Sequence, residues 1–257
     1  MIYLARDPGT GCWIKVDQEN PLCSVGRIKI GPHILYLGDA YTIRPALGWF
    51  SIDCFDPPYK FVAEGGGKYQ RGRERGGAKQ IVKEGLNKGF DHGIINPLLC
   101  GSVIVFCHND QLPKLLNYLD GNFHRFALIT WRKKNPQPVA NKHYQPDREF
   151  YIHAWNDGHH PVGTLAEKKR EVVASSVRGK AKELMGNHPT IKPDEVMDKI
   201  MANANGQTVC DAFMGTGSTG VAAIKAGKIF TGIEHNPKHF ETAVRRVAAA
   251  FNEGNNA

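Results

Sequence analysis

The fold of this chain is most tightly constrained near its C-terminal end, where a glycine loop sits between a strand and a helix. Residues 207–213 (QTVCDAF) read as a strand, and residues 215–220 spell G-T-G-S-T-G. A short helix follows over 218–226, closed by Gly227. A second strand over 228–234 (KIFTGIE) and a final helix over 237–251 complete the unit. A helix over 192–204, with Pro193 and Asp194 at its start, leads into it. Strand–helix–strand–helix is the pattern of a doubly wound α/β sheet. Glycines in the first turn let the backbone approach a ligand, and an acid ending the second strand can accept hydrogen bonds from both hydroxyls of a ribose. Glu234 ends that strand, nineteen residues after Gly215. The pattern points to a nucleoside-containing cofactor; the plainer alternative is a structural turn with Glu234 as a solvated acid. The loop alone does not choose between NAD, which sets a pyrophosphate on the helix N-terminus, and S-adenosylmethionine, which shares only the adenosine.

Upstream, residues 33–37 (HILYL) and 49–55 (WFSIDCF) read as strands. Residues 102–107 (SVIVFC) form a continuous apolar run with turn signals on both sides, as in a strand buried on both faces of a parallel sheet. Residues 112–119 have helical spacing, and 126–131 and 150–155 read as further strands. The expected architecture is α/β, a mostly parallel sheet with helices on both faces.

The strand over 49–55 runs into Asp56-Pro57-Pro58-Tyr59. Proline cannot donate to a sheet ladder, so the strand stops there, at the end where α/β proteins place ligands. An exocyclic amine on adenine or cytosine is a poor nucleophile, because its lone pair is delocalised into the ring. The Asp56 carboxylate and the Pro57 carbonyl can accept its two N–H bonds, free the lone pair for in-line attack on a methyl group, and stabilise the positive charge that develops. Tyr59 offers a ring for stacking on an extruded base, and Phe61 a second aromatic wall. The plain alternative is a Pro-Pro strand terminator with Asp56 as a turn cap.

Charge points outward to a polyanion: 33 Lys and Arg against 25 Asp and Glu give a net +8. Three basic segments are candidate DNA contacts: Arg71, Arg73 and Arg75 within the glycine-rich stretch 64–78; Arg132, Lys133 and Lys134 after a strand; and Lys168, Lys169 and Arg170, followed by Arg178, Lys180 and Lys182. Each is also readable as a solvated surface run. An apolar content of 41% excludes a wholly disordered chain. The longest nearly apolar run, 98–107, is too short to cross a membrane, and residues 1–13 lack a signal-peptide pattern, so a cytoplasmic location is expected. The six cysteines, at 12, 23, 54, 100, 107 and 210, include no Cys-x-x-Cys pair, and the adjacent His159 and His160 have no partner ligands. Reduced thiols and no metal are expected.

Three motifs carry a family resemblance. Asp56-Pro57-Pro58-Tyr59, then His188-Pro189-Thr190-Ile191-Lys192-Pro193, then D-x-F-x-G-x-G over 211–217 resemble, in that order, the β group of S-adenosylmethionine-dependent DNA methyltransferases that act on exocyclic amines. The resemblance implies a Rossmann-like methyltransferase fold over 1–257. Its expected parts are a catalytic half at 56–155, a loop-rich recognition segment at about 157–187, and a cofactor half at 188–257. It implies S-adenosylmethionine held by Asp211, Phe213, Gly215, Gly217, Ser218 and Glu234, with Thr190 and Lys192 nearby, and catalysis by Asp56, Pro57, Pro58 and Tyr59. It implies duplex DNA as partner, base flipping, and a homodimer. Asp-Pro-Pro-Tyr is more typical of adenine N6 methylation, and cytosine N4 is the alternative. Cytosine carbon-5 chemistry needs a cysteine after proline, and no Pro-Cys dipeptide is present. An NAD-dependent oxidoreductase would explain the glycine loop but not Asp56–Tyr59, and a non-catalytic DNA-binding scaffold would leave Asp56 without a task. The chain departs from the family in its long basic stretch after Tyr59 and its short recognition segment.

Overall fold

The computed structural model describes residues 3–6, 13–16, 26–60, 88–137, 144–184 and 191–255. Strands β1 (Tyr3–Arg6) and β2 (Trp13–Val16) pair antiparallel as a separate ribbon. A nine-stranded sheet contains β3 (Gly26–Ile30), β4 (His33–Leu37), β5 (Phe50–Phe55), β6 (Cys100–Cys107), β7 (Arg125–Lys133), β8 (Arg148–Trp155), β9 (Glu171–Ala174), β10 (Thr208–Asp211) and β11 (Ile229–Glu234). Around it lie helices α1 (Ala40–Ala46), α2 (Leu112–Asp120), α3 (Gly179–Leu184), α4 (Asp194–Asn203), α5 (Ser218–Lys225) and α6 (Pro237–Asn255).

The sheet order is β3-β4-β11-β10-β5-β6-β8-β7-β9. The five neighbours β4, β11, β10, β5 and β6 run parallel. Antiparallel pairings add β3 at one side and β8 with β7 at the other, and β9 lies parallel to β7. Every residue of β5 and β6 is buried, which explains why β6 reads as an apolar run without alternation; in β5 the buried Asp53 is paired with Arg44. One core joins Ile52, Ile104, Val209 and Phe230 to Met197 and Ile200 of α4, Ala222 of α5 and Val247 of α6. The other joins Phe55, Val103, Val105 and Ile233 to Ile43 of α1 and to Leu115 and Leu119 of α2. Helices therefore cover both faces, as the periodicity predicts.

Helices α1 and α4 depart from the sequence reading. Helix α1 contains Pro45, a residue that argues against a helix on sequence grounds. Asp39 starts it by accepting the Thr42 N–H at 2.8 Å. Its Arg44, buried to 1%, pairs with Asp53 of β5 at 3.0 Å and donates to the carbonyls of Gly48 and Leu99. Helix α4 starts at Asp194 rather than 192, with Pro193 in extended backbone as its N-cap.

The strand order reverses between β10 and β5. From β10 the chain turns through α5 to β11 on one side, while β5 leads to β6 on the other. Parallel sheets open a crevice at such a point, outside the carboxyl ends of the strands. Asp211 ends β10 and Asp56 follows β5.

Candidate active site

A cavity of about 410 Å³ opens at this reversal, lined by Asp56–Tyr59 on one side and by Asp211–Thr216, Ser218, Thr219 and Glu234 on the other. The glycine loop is held by its own backbone. Gly217 donates to the Met214 carbonyl at 2.8 Å, and Met214 donates to Ile233 of β11 at 3.0 Å. Gly217 has φ +84°, and a Cβ there would stand 3.2 Å from that of Ala243 in α6. Only glycine occupies that left-handed position without strain while the helix packs so close. Two buried acids clamp the loop. Glu234 accepts the Gly215 N–H at 2.9 Å on Oε2 and the Asn236 N–H at 2.7 Å on Oε1. Asp211 accepts the Phe213 N–H at 2.9 Å. Burial pushes the Asp211 carboxyl up to about 7, against the opposing hydrogen bonds of Thr219 and Phe213. From α6, Arg246 donates to the Thr216 carbonyl at 2.7 Å and lies 3.4 Å from the Ser218 hydroxyl.

Side-chain charges organise the opposite wall. Lys192, 4% exposed, places Nζ 2.8 Å from Asp56 Oδ2, 3.5 Å from Glu149 Oε2 and 3.1 Å from the Tyr59 hydroxyl. The ammonium also lies 5.2 Å from the Tyr59 ring centroid and 4.8 Å from that of Phe106. Lys133 Nζ lies 2.7 Å from the other Glu149 oxygen. Burial raises the Asp56 carboxyl above its ordinary range although Lys192 pulls it down. Burial would raise Glu149 too, but Lys192 and Lys133 hold it below the usual value. Burial works against the Lys192 charge, and its two carboxylate partners outweigh that, so it stays protonated. Gln111 steadies the turn by donating to the Pro58 carbonyl at 3.3 Å.

The residues picked from sequence fall into separate groups. Asp56, Pro57, Pro58, Tyr59, Lys192, Asp211, Phe213, Gly215, Ser218 and Glu234 all line one cavity. Thr190, Phe61, Arg71, Arg73 and Arg75 lie outside the described residues. Lys133 is tied to Glu149, and Arg132 pairs with Glu171 at 3.2 Å. Arg132–Lys134 sit at the carboxyl end of β7, on the cavity side of the sheet, and Lys134 is exposed. Lys168, Lys169 and Arg170 are exposed but precede β9, whose first residue pairs with Thr130, so they approach the sheet beside the middle of β7 rather than at its carboxyl end. Arg178 is exposed, donates to the Asn135 carbonyl and lines a neighbouring cavity beside Tyr59 and Lys192. Sequence reading missed Glu149, Gln111 and Arg246. No motif marks Glu149: it opens β8 between Arg148 and Phe150, and only strand pairing brings it beside Lys133 and Lys192.

Among the described residues no helix is long and apolar enough to cross a membrane, and no cluster of three or more His, Cys, Asp or Glu is placed to hold a metal. Cys54, Cys100, Cys107 and Cys210 are free and buried.

Residues 100–245, more than half of the chain, match the model of a family described as DNA methylase. The chain is 29% identical over 142 residues to the Type II methyltransferase M2.DpnII of Streptococcus pneumoniae, covering 47% of this chain and 50% of that protein. It is 27% identical over 140 residues to M2.LlaDCHI of Lactococcus lactis subsp. cremoris, covering 46% and 49%. It thus spans about half the length of these curated relatives. Among solved structures, the M1.HpyAVI–SAM complex matches with a TM-score of 0.59 and 24% identity, over 83% of this chain and 98% of that one. The cytosine-N4-specific PvuII DNA methyltransferase matches with a TM-score of 0.57 and 15% identity, over 86% and 92%. The fold is the Rossmann-like fold of DNA methyltransferases.

Proposed function

This chain belongs to the DNA methylase family, and we propose that it transfers a methyl group from S-adenosylmethionine to the N6 amine of adenine in duplex DNA. The observation that carries this reading is the meeting of Asp56 with the glycine loop across one cavity at the strand reversal. The cavity suits the cofactor: the buried acids Asp211 and Glu234 stand on its wall with the Gly215 turn between them. Asp211, Phe213, Gly215, Ser218 and Glu234 would hold it, with Gly217, which does not line the cavity, shaping the turn behind them. When bound, S-adenosylmethionine supplies an activated methyl group.

The chain's own residues orient and stabilise. Asp56 and the Pro57 carbonyl accept the amine N–H bonds and meet the charge that grows on nitrogen, so they bind the transition state better than the ground state. Tyr59 stacks on a base brought out of the duplex. Exposed Lys134, beyond the carboxyl end of β7, and Arg178, in the neighbouring cavity, contact phosphates, which makes affinity depend on salt. Cytosine N4 is the second reading, because a cytosine-N4-specific enzyme shares the fold and both amines pose the same chemical problem.

The test incubates the protein with methyl-labelled S-adenosylmethionine and unmethylated duplex DNA, then resolves the nucleosides by mass spectrometry. Label in N6-methyldeoxyadenosine is expected. Label in N4-methyldeoxycytidine selects the second reading, and unlabelled DNA in the presence of bound cofactor overturns both.

A further inference from the structure

The charges beside Asp56 form a chain that leads away from the cavity. Lys192 stands between two carboxylates, Asp56 at 2.8 Å and Glu149 at 3.5 Å. Glu149 stands between two ammonium groups, Lys192 on Oε2 and Lys133 at 2.7 Å on Oε1. Glu149 does not line the Asp56 cavity. It lines a second one of about 360 Å³, which shares Tyr59, Ile191 and Lys192 with the first. It touches the reacting side through two groups, the Lys192 ammonium and the Tyr59 hydroxyl, which donates to Oε2 at 3.4 Å.

Two opposing requirements meet at Asp56. Burial favours its neutral form, so a nearby cation is needed to keep it ionised. A cation fully given over to it would also shield the charge that an amine N–H has to meet. A second carboxylate drawing on the same ammonium eases the conflict: the cation stays in contact with Asp56 but is less given over to it, although the second negative charge itself raises the Asp56 carboxyl. We propose that Glu149 is a positioning residue for the methyl-transfer step, holding the Lys192 ammonium in a shared place between its own carboxylate and that of Asp56. The proposal rests on the amine-methylation reading above and deepens it. The groups that face Asp56 are Lys192 from the segment before α4, Glu149 from β8, Asp211 from β10, Tyr59 from its own turn and the Cys54 thiol of β5.

The test follows the Asp56 carboxyl by carbon-13 NMR in aspartate-labelled full-length protein, assigned with Asp56→Asn, in wild type, Glu149→Gln and Lys192→Gln. Removing the Glu149 charge is expected to move the Asp56 titration down by about one pH unit, and removing the Lys192 charge to move it up by about the same or more. The acid limb of single-turnover methyl transfer should follow with the same signs. Glu149→Gln should lower kcat about tenfold with the cofactor KM unchanged, and Glu149→Asp should recover part of the loss. Melting temperatures show which variants fold. A role in packing alone would leave the two titrations together. If Asp56 titrates alike in all three folded proteins, or both variants shift it the same way, the proposal is overturned. If the titrations separate but wild type methylates no DNA, the methylation reading is overturned, and the role in transfer with it.

Discussion

Two loops face each other at the ends of neighbouring strands, and they are held by different means. The loop after β10 is fixed through its main-chain N–H groups: Gly215 and Phe213 donate to the buried carboxylates of Glu234 and Asp211, and Gly217 takes a left-handed turn against α6. The turn after β5 is fixed by side-chain charge, through Lys192 and Glu149. A cofactor pocket that must match one shape gains from main-chain donors, whose positions are set by the fold and not by side-chain rotamers. A reacting group that must keep a charge while buried needs tunable partners, and those are ionisable side chains. If this division is correct, damage to the first loop appears in cofactor affinity and damage to the second in the rate of transfer.

The largest effect within the glycine loop is expected from Asp211→Ala. It leaves the Phe213 N–H without its acceptor and removes a buried carboxylate, so S-adenosylmethionine binding should weaken by about 10- to 100-fold in calorimetry. Gly217→Ala follows, with about tenfold weaker binding, because a left-handed alanine costs about 1–2 kcal/mol and its Cβ crowds Ala243. A loss of transfer rate at saturating cofactor, with binding intact, would break the comparison for either variant.

The pH dependence sharpens the contrast. The folded Asp211 carboxyl is raised from 3.8 to about 7, so folding takes up a proton there. Its contribution to stability is fully present below its unfolded value and is lost as pH rises through about 7. The cofactor carries a sulfonium and an ammonium, which favour the ionised acid. Cofactor affinity should therefore rise about tenfold between about pH 6 and pH 8 in wild type, with little change in Asp211→Asn.

The smallest effects separate the basic segments. Neutralising Lys134 and Arg178, on the cavity side, should flatten the salt dependence of duplex binding by about 0.9 in slope for each phosphate that no longer meets a cation. Neutralising Lys168, Lys169 and Arg170, which lie further from the carboxyl ends of the strands, should change it less.

What was legible in the sequence follows the same division. The glycine loop, Asp56–Tyr59 and the buried strands β5 and β6 are short local patterns, and the structure places them where the patterns predict. Strand ends shifted by one or two residues, as for β7, read over 126–131 and observed as Arg125–Lys133. Helix α1 is hidden in the sequence by Pro45, and β3 and β9 are hard to read because one is mostly exposed and the other only four residues long. Glu149 and Arg246 were not legible, because their partners meet them only through tertiary packing: Tyr59 lies 90 residues from Glu149, and Thr216 lies 30 from Arg246. The basic runs showed the reverse limit. Their composition announced a polyanionic partner, but only strand direction separates Lys134 from Lys168.

The most direct measurement takes two readings from one variant. Asp56→Ala is mixed with labelled S-adenosylmethionine and duplex DNA, and cofactor binding and methyl transfer are followed on the same sample. The predicted result is a cofactor Kd within about twofold of wild type and transfer slowed by about a thousandfold or more. Transfer at the wild-type rate, or loss of the cofactor together with the activity, would contradict the assignment of Asp56 to the amine and of the glycine loop to the cofactor.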